Sequence, residues 1–303
     1  MKARKVLAGA FERNSSAFSF VIIVFFAVML FSLVYNTLAF TPSDFLQRPG
    51  ASYYENAVEN VTALDKWTRT VFYWKNNLGV VGVYVIAAPA NLGFNSGLIA
   101  NYNLGLSLAY WYHSLGGNAM LAFSSSVFVH GLLELTGAYL VIAASLRLAW
   151  NLWKGAGRIL SMARKKGELF RWSVSFRPSS WERREVKKHR EAIKLQLTDF
   201  AVLAIVGIFL VFLAAPIESY ISPTASAMFY GNPLLGLGFL IVVGLFYVAL
   251  MHYGFGRMLR DISYVRDDLK LAFRGKRRYS QFSLLMLVLF SVLMLTRLMF
   301  WTS

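Results

Sequence analysis

The 303-residue sequence contains no cysteine, which excludes disulfide bonds and thiol chemistry. It also contains no Asp, Glu, Lys or Arg over the 58 residues from Asn76 to Leu133, a run that ends at Glu134. An ionisable group beside such a run means little in water. In a lipid bilayer it is costly and therefore marks a candidate functional site.

Charged residues are scarce throughout the chain. They make up 15% of it, against 57% for hydrophobic residues, whereas soluble domains have about 25% charged and about 45 to 50% apolar residues. About 20 apolar residues cross the hydrocarbon core of a bilayer. Runs close to that length occupy residues 17–40, 200–217, 234–251 and 282–296. The composition therefore predicts an integral membrane protein.

The net charge of +16 is concentrated in a few segments. Residues 1–17, 147–194 and 252–278 carry net charges of +3, +10 and +5, and residues 41–75 are balanced. Basic loops face the cytoplasm, so the N-terminus is predicted to be cytoplasmic. We expect the basic segments to meet the anionic headgroups of the lipid bilayer or to dock protein partners, and we expect no nucleic-acid partner.

The fold class predicted from these patterns is an all-α, polytopic membrane helix bundle in the cell membrane. It has about five full crossings, a re-entrant pair of half-helices and amphipathic interfacial helices, with a cytoplasmic N-terminus and an outside C-terminus. A single membrane domain covers residues 1–303. This prediction is compatible with a homo-oligomer. The parts of the domain are a first crossing at 18–40, an outer amphipathic helix at 53–75, the re-entrant hairpin and a crossing helix at 76–150, a basic cytosolic segment at 154–194, and three further crossings within 195–303 with a cytosolic amphipathic helix at 256–275.

The hairpin prediction depends on residues 91–103, which are rich in asparagine and glycine. If the flanking apolar segments crossed the membrane fully, these residues would form a cytosolic loop without one Lys or Arg. A tip buried inside the protein explains their composition better, because irregular backbone at membrane depth is tolerated when it is buried in protein or faces a wet cavity. Further along, Pro216, Pro223 and Pro233 predict a short outer loop.

The candidate site centres on His130 and Glu134, which lie one helical turn apart and project from one face of the crossing helix. A neutral imidazole can donate a ring N–H to the carboxylate and so lower the cost of both groups. The intramembrane polar site is predicted to comprise His130, Glu134, Asn77, Asn95 and Gly131. Ser125, His113 and Glu218 are further contributors.

Several chemistries fit the His130 and Glu134 pair. It can relay protons, line the path of an ion or solute, supply two ligands to a metal, or simply hold the hairpin against the crossing helix. Two ligands are too few to predict a metal site, and we expect no cofactor. The sequence has neither HExxH nor GxSxG, so we expect no enzyme.

The motifs resemble those of the stage II sporulation protein M family of integral membrane proteins. The resemblance rests on Asn76-Asn77-Leu78, on the Asn/Gly-rich segment, and on the run from His130 to Leu135, followed by the small residues Thr136, Gly137 and Ala138. The family usually has proline where this chain has Val129, and more glycine around Pro89.

That resemblance implies an architecture more firmly than a role. The member that gives the family its name anchors a cell-wall-degrading complex during engulfment in spore formers, and many relatives have no assigned activity. Two functions remain open. The polar site translocates or couples to an ion, proton or small solute, or the protein is a non-catalytic scaffold that docks partners for envelope remodelling.

Overall fold

The computed structural model describes residues 2–46, 63–165 and 180–254, together with isolated positions between 270 and 285. These residues are helical and include no strand, so the all-α prediction is confirmed for this part of the chain. The helices are α1 (Lys2–Leu38), α2 (Pro42–Leu46), α3 (Lys66–Ile86), α4 (Leu92–Leu115), α5 (Gly117–Lys165), α6 (Ser180–Tyr220), α7 (Ser222–Gly231) and α8 (Pro233–Gly254).

Three of the described helices are long and apolar enough to cross a membrane. They contain the spans Lys5–Leu38 in α1, Gly117–Ser161 in α5 and Ala192–Tyr220 in α6. In each, the apolar run continues without a break into more polar sequence, so the helix extends beyond the predicted crossing. The predicted helix at 256–275 and the last crossing lie outside the described residues.

Helices α5 and α6 form the centre of the bundle, and glycines allow their close approach. A Cβ atom added at Gly137 would lie 2.5 Å from the carbonyl oxygen of Gly207, and one added at Gly207 would lie 2.5 Å from the carbonyl oxygen of Gly137. Only glycine fits at both positions. The main apolar core, with Phe18, Leu140 and Leu203 fully buried, joins α1, α5 and α6 around this crossing.

An ion pair joins α1 to α6. Arg13 donates through Nε and Nη2 to the two carboxylate oxygens of Asp199, at 2.8 and 2.6 Å. Asp199 is 4% exposed and Arg13 is 35% exposed, so the carboxylate is taken out of water while the guanidinium keeps part of its hydration. The pair places the N-terminal part of α1 beside the start of the apolar span of α6.

Helix α3 begins at Lys66, within the outer helix that the sequence predicts at 53–75. Asp65 has extended backbone angles and caps a helix that begins at Lys66, because its carboxylate accepts hydrogen bonds from the backbone N–H groups of Trp67 and Thr68. One continuous amphipathic helix through residues 53–75 is therefore wrong. Its first ten residues lie outside the described part of the chain.

The connection between α3 and α4 also differs from the predicted hairpin. Residues Ala88–Ala90 form a 3-10 turn, Asn91 adopts a left-handed conformation with φ of 57°, and α4 then runs unbroken through the Asn/Gly-rich residues. Helices α3 and α4 have 21 and 24 residues, about 30 Å or more each, whereas half-helices would be about half as long. Half-helices are therefore not confirmed.

The α3–α4 turn lies at the end of the bundle that carries the basic segment. Trp153 of α5 donates its indole N–H to the carbonyl oxygen of Pro89, at 3.1 Å. Trp153 comes six residues after Arg147, which the sequence places at the inner membrane surface. The turn is thus level with the predicted inner surface.

The three prolines that predict a loop lie in helices or at their starts. Pro216 is inside α6, Pro223 is in the first turn of α7, and Pro233 opens α8. Proline is tolerated in a first helical turn because the N–H it lacks has no partner there. A single residue, Ile221, therefore separates α6 from α7, and α7 packs against α5.

Candidate functional site

Three titratable side chains meet where α5 passes the α6–α7 junction. His130 and Glu134 come from α5, and Glu218 comes from the last turn of α6. One ligand atom from each of the three side chains lies within 4.8 Å of the others. The side chains of His130 and Glu218 are only 10% and 17% exposed. The site therefore holds two carboxylates and an imidazole in a space that is largely closed to water.

The imidazole of His130 bridges α6 and α7. Its Nδ1 lies 2.9 Å from the hydroxyl oxygen of Ser222, the first residue of α7. Its Nε2 lies 3.6 Å from Oε1 of Glu218. In place of the predicted bond to Glu134, the Nδ1 atom has Ser222 within hydrogen-bond distance, and a single residue, Ile221, separates α6 from α7.

Glu218 has an unusual environment for a carboxylate. Its Oε2 atom is buried and has no hydrogen-bond partner within the described part of the chain. The Tyr73 phenol hydrogen-bonds to the Glu218 carboxylate, and Glu134 and Arg69 interact with that carboxylate electrostatically. A second carboxylate therefore faces Glu218 from α5, while one cationic and one phenolic side chain face it from α3.

Asn77 lies on the face of α3 that borders the site. Tyr73 and Tyr84, at neighbouring positions on the same face, both interact with Glu134. Asn77 is buried and accepts a hydrogen bond from Asn76, Nδ2 to Oδ1 at 3.0 Å. Its place in the site stays a prediction.

Asn95 is buried on α4. Two residues later, Gly97 packs against Ile142, where an added Cβ would lie 2.9 Å from the Ile142 side chain. Ile142 is eight residues beyond Glu134 on α5, or ~12 Å along the helix axis. The place of Asn95 in the site stays a prediction.

His113 belongs to a separate cluster. Its Nε2 lies 3.0 Å from the carbonyl oxygen of Asn36 in α1, and its ring stacks on Phe45 of α2 with centroids 4.9 Å apart. This histidine ties α4 to α1 and α2. Its predicted contribution to the His130 site is wrong.

Ser125 and Gly131 lie on α5 near the site. Within the described residues, their contacts are with other residues of α5. The Ser125 hydroxyl donates to the carbonyl oxygen of Ala122 in its own helix, at 2.7 Å. A Cβ added at Gly131 would meet only Val127, one turn earlier on α5. The glycine that α5 requires is Gly137, at the crossing with α6.

Sequence reasoning missed Ser222 and Tyr73. Ser222 follows Glu218 by four residues and Tyr73 precedes Asn77 by four, so each shares a helical spacing with a predicted site residue. That spacing is the available signal. It is weak, because serine and tyrosine are common near membrane surfaces.

The comparisons with known proteins decide the family. A family model, SpoIIM: Stage II sporulation protein M, matches residues 16–223, which is more than two thirds of the chain. The chain belongs to the stage II sporulation protein M family. The match runs from α1 to the first turn of α7 and contains His130, Glu134, Glu218 and Ser222. Neither the curated proteins nor the solved structures include a match.

Membership in the stage II sporulation protein M family agrees with the resemblance that the motifs carry and with the apolar helices. It supports a membrane protein with several apolar helices. The family description names no substrate, so the function has to be argued from the site.

Proposed function

We propose that this stage II sporulation protein M family member uses His130, Glu134 and Glu218 to pass, or couple to, a proton or another small cation in the cell membrane. One observation carries the proposal. The three side chains place ligand atoms within 4.8 Å of one another, although they come from two helices that are each long and apolar enough to cross a membrane.

The free energy of such a site depends on the cation it holds. Two ionised carboxylates in a medium of low dielectric repel each other, and both lose hydration. A proton or metal ion shared among them removes the repulsion and restores a partner to the buried Oε2 atom of Glu218. Binding and release of that cation would therefore change the stability of the α5–α6–α7 contact.

The proposed arrangement in the membrane is multi-pass, with a cytoplasmic N-terminus. The positive-inside rule places the basic start of α1 in the cytoplasm. The Arg13–Asp199 pair and the Trp153–Pro89 hydrogen bond support one cytoplasmic end for α1, α5, α6 and the α3–α4 turn. In this arrangement α3 and α4 cross fully, and the His130 site lies towards the outer surface.

The test is cation flux in proteoliposomes, compared between wild type and Glu134→Gln. An interior pH dye reports proton entry, and an imposed potential drives it. Flux at the level of empty liposomes is expected for Glu134→Gln, because the amide cannot exchange a proton or carry the charge that attracts a cation. Glu12→Gln is the matched control, since Glu12 is exposed on α1 and far from the site. Unchanged flux in Glu134→Gln would sink the proposal.

The scaffold hypothesis has a separate observation in its favour. Lys187, Arg190 and Lys194 are exposed along the first part of α6, at spacings of three and four that place them on one face. A basic face suits anionic headgroups or an acidic partner. Under this second proposal, changing all three residues to Gln abolishes co-purification of a partner protein, and unchanged co-purification contradicts it.

A further inference from the structure

We propose that His130, Glu134 and Glu218 bind one divalent transition-metal ion, of the class that includes Zn²⁺, Mn²⁺, Fe²⁺ and Co²⁺. The inference rests on the proposed function, because it names the cation that the same site takes. The sequence alone offers two ligands on α5, which is too few. The fold supplies the third from α6.

The separation between His130 and Glu218 suits a shared metal ion better than a direct hydrogen bond. His130 Nε2 and Glu218 Oε1 are 3.6 Å apart, which is longer than a hydrogen bond. Two ligands of a tetrahedral ion, each about 2.0 to 2.2 Å from the metal, lie about 3.4 Å apart. One ligand atom of Glu134 completes a set whose members all lie within 4.8 Å.

Ser222 orients the histidine as metal sites require. A histidine ligand usually donates its second ring N–H to an oxygen, which fixes the tautomer and the ring orientation. His130 Nδ1 lies 2.9 Å from Ser222 Oγ. When Nδ1 donates to this oxygen, the lone pair of Nε2 points towards the Glu218 carboxylate. A cation between Nε2 and the carboxylate turns their repulsion into two bonds.

One oxygen of the Glu218 carboxylate points to the same ligand. Within the described residues the Tyr73 phenol hydrogen-bonds to this carboxylate, but the buried Oε2 atom has no hydrogen-bond partner. A buried acceptor in that state is costly unless something absent from the protein chain satisfies it. A metal ion that Glu218 coordinates would do so.

The charges around the site favour a divalent ion. Glu134 and Glu218 contribute two negative charges when ionised, and a divalent cation offsets both directly. Arg69 also interacts with Glu218, and its Nη2 donates to the carbonyl oxygen of Leu64 at 2.9 Å.

The donor atoms select the class of metal. Imidazole nitrogen with carboxylate oxygens suits Zn²⁺, Mn²⁺, Fe²⁺ and Co²⁺, whereas Mg²⁺ and Ca²⁺ prefer oxygen alone. Three protein ligands leave a fourth position for water or a second ligand. Such an open position would let the ion exchange.

The test titrates the purified, chelator-stripped, full-length protein with Co²⁺ alone and follows its visible d–d absorption. We expect one Co²⁺ per chain with tetrahedral absorption, and a rise in melting temperature on binding. Glu134→Gln and Glu218→Gln should abolish the tetrahedral absorption and the rise. Ser222→Ala should weaken binding about 10- to 100-fold. His113→Ala and Glu12→Gln are matched controls that should bind as wild type does.

The melting temperature of each metal-free variant serves as the control for correct folding. Because Gln has the shape of Glu and removes a buried charge, the metal-free variants should melt at or above the wild-type temperature. The metal site is overturned if the wild-type protein does not bind Co²⁺ stoichiometrically. It is also overturned if Glu218→Gln binds Co²⁺ as tightly as the wild type does. Proton flux that depends on Glu134 without Co²⁺ binding overturns the metal site alone. Site-dependent Co²⁺ binding without any cation flux overturns the proposed function alone.

Discussion

His130 Nε2 lies 3.6 Å from the carboxylate of Glu218, a residue 88 positions later in the chain. The contact exists because α5 and α6 cross closely, with Gly137 and Gly207 at the crossing.

Gly137→Ala should destabilise the protein by about 1 to 3 kcal/mol, because the new Cβ would meet the Gly207 carbonyl oxygen at 2.5 Å. Gly79→Ala on exposed α3 is the control. Its Cβ would have no atom within 4 Å, so the variant should be unchanged or up to about 1 kcal/mol more stable. Thermal unfolding in detergent, followed by tryptophan fluorescence, measures both. Equal melting temperatures would contradict the close crossing.

Arg13→Gln and Asp199→Asn should each destabilise the protein, and the double variant should lose less than the sum. Removing one partner leaves a largely buried charge unpaired. Since Arg13 is 35% exposed, the coupling is expected to be on the order of 1 to 3 kcal/mol, at the low end for such pairs. Denaturation of the four proteins in one detergent gives the cycle. Additive losses would show that the two side chains do not interact.

The start of α3 should loosen in acid. Hydrogen bonds from the Thr68 side chain and from the backbone of Thr68 and Trp67 lower the pKa of Asp65 below its ordinary value of 3.8. A lowered folded-state pKa means that the cap's contribution is complete above pH 3.8 and is lost as the pH falls through the lower, folded-state pKa.

Hydrogen exchange at the Trp67 and Thr68 amides, corrected for its intrinsic pH dependence, should therefore accelerate as the pH falls through the folded-state pKa of Asp65. Asp65→Asn keeps a capping oxygen but has no proton to gain, so its protection should not depend on pH in this range. The same acid-induced loss in Asp65→Asn would assign the effect to another group.

The α3–α4 turn should be reached by label from the cytoplasmic side. The protein has no cysteine, so a single introduced cysteine is the only labelled thiol. Pro89→Cys lies in the exposed turn, and Gly117→Cys lies at the opposite, open start of α5. An impermeant maleimide applied outside intact cells should label Gly117→Cys and label Pro89→Cys only after lysis. Labelling of both from outside would contradict a cytoplasmic α3–α4 turn.

The parts of the site that follow from local sequence were predicted. The charge-free run draws attention to His130 and Glu134, and the period of a helix places them on one face. Glu218 stands out as a second carboxylate close to the outer end of an apolar run. Each of these inferences needs only charge and helical spacing.

The parts that depend on tertiary crossing were missed or misplaced. Ser222 reaches His130 because the α6–α7 junction spans a single residue, and the prolines there predict a loop instead. His113 is as polar as the residues at the site. Sequence spacing does not show that α4 turns it towards α1 and α2.

The predicted helix boundaries were wrong for a related reason. The apolar stripe continues across Asp65 in sequence, but the Asp65 carboxylate caps a new helix there. Asparagine and glycine predict a break at residues 91–103, whereas the break occurs just before them, where Pro89 and the left-handed Asn91 end one helix and start the next. The buried Asn95 and Asn101 and the exposed Asn103 all lie within α4.

The most direct test of the cation site is proton or cation flux through Glu218→Gln in proteoliposomes, because this residue is joined to His130 only by the fold. Wild type, Glu218→Gln and the exposed control Glu12→Gln are reconstituted at equal protein-to-lipid ratios. We predict flux through wild type and Glu12→Gln. For Glu218→Gln we predict a flux equal to that of empty liposomes. Equal flux in all three proteins would contradict it.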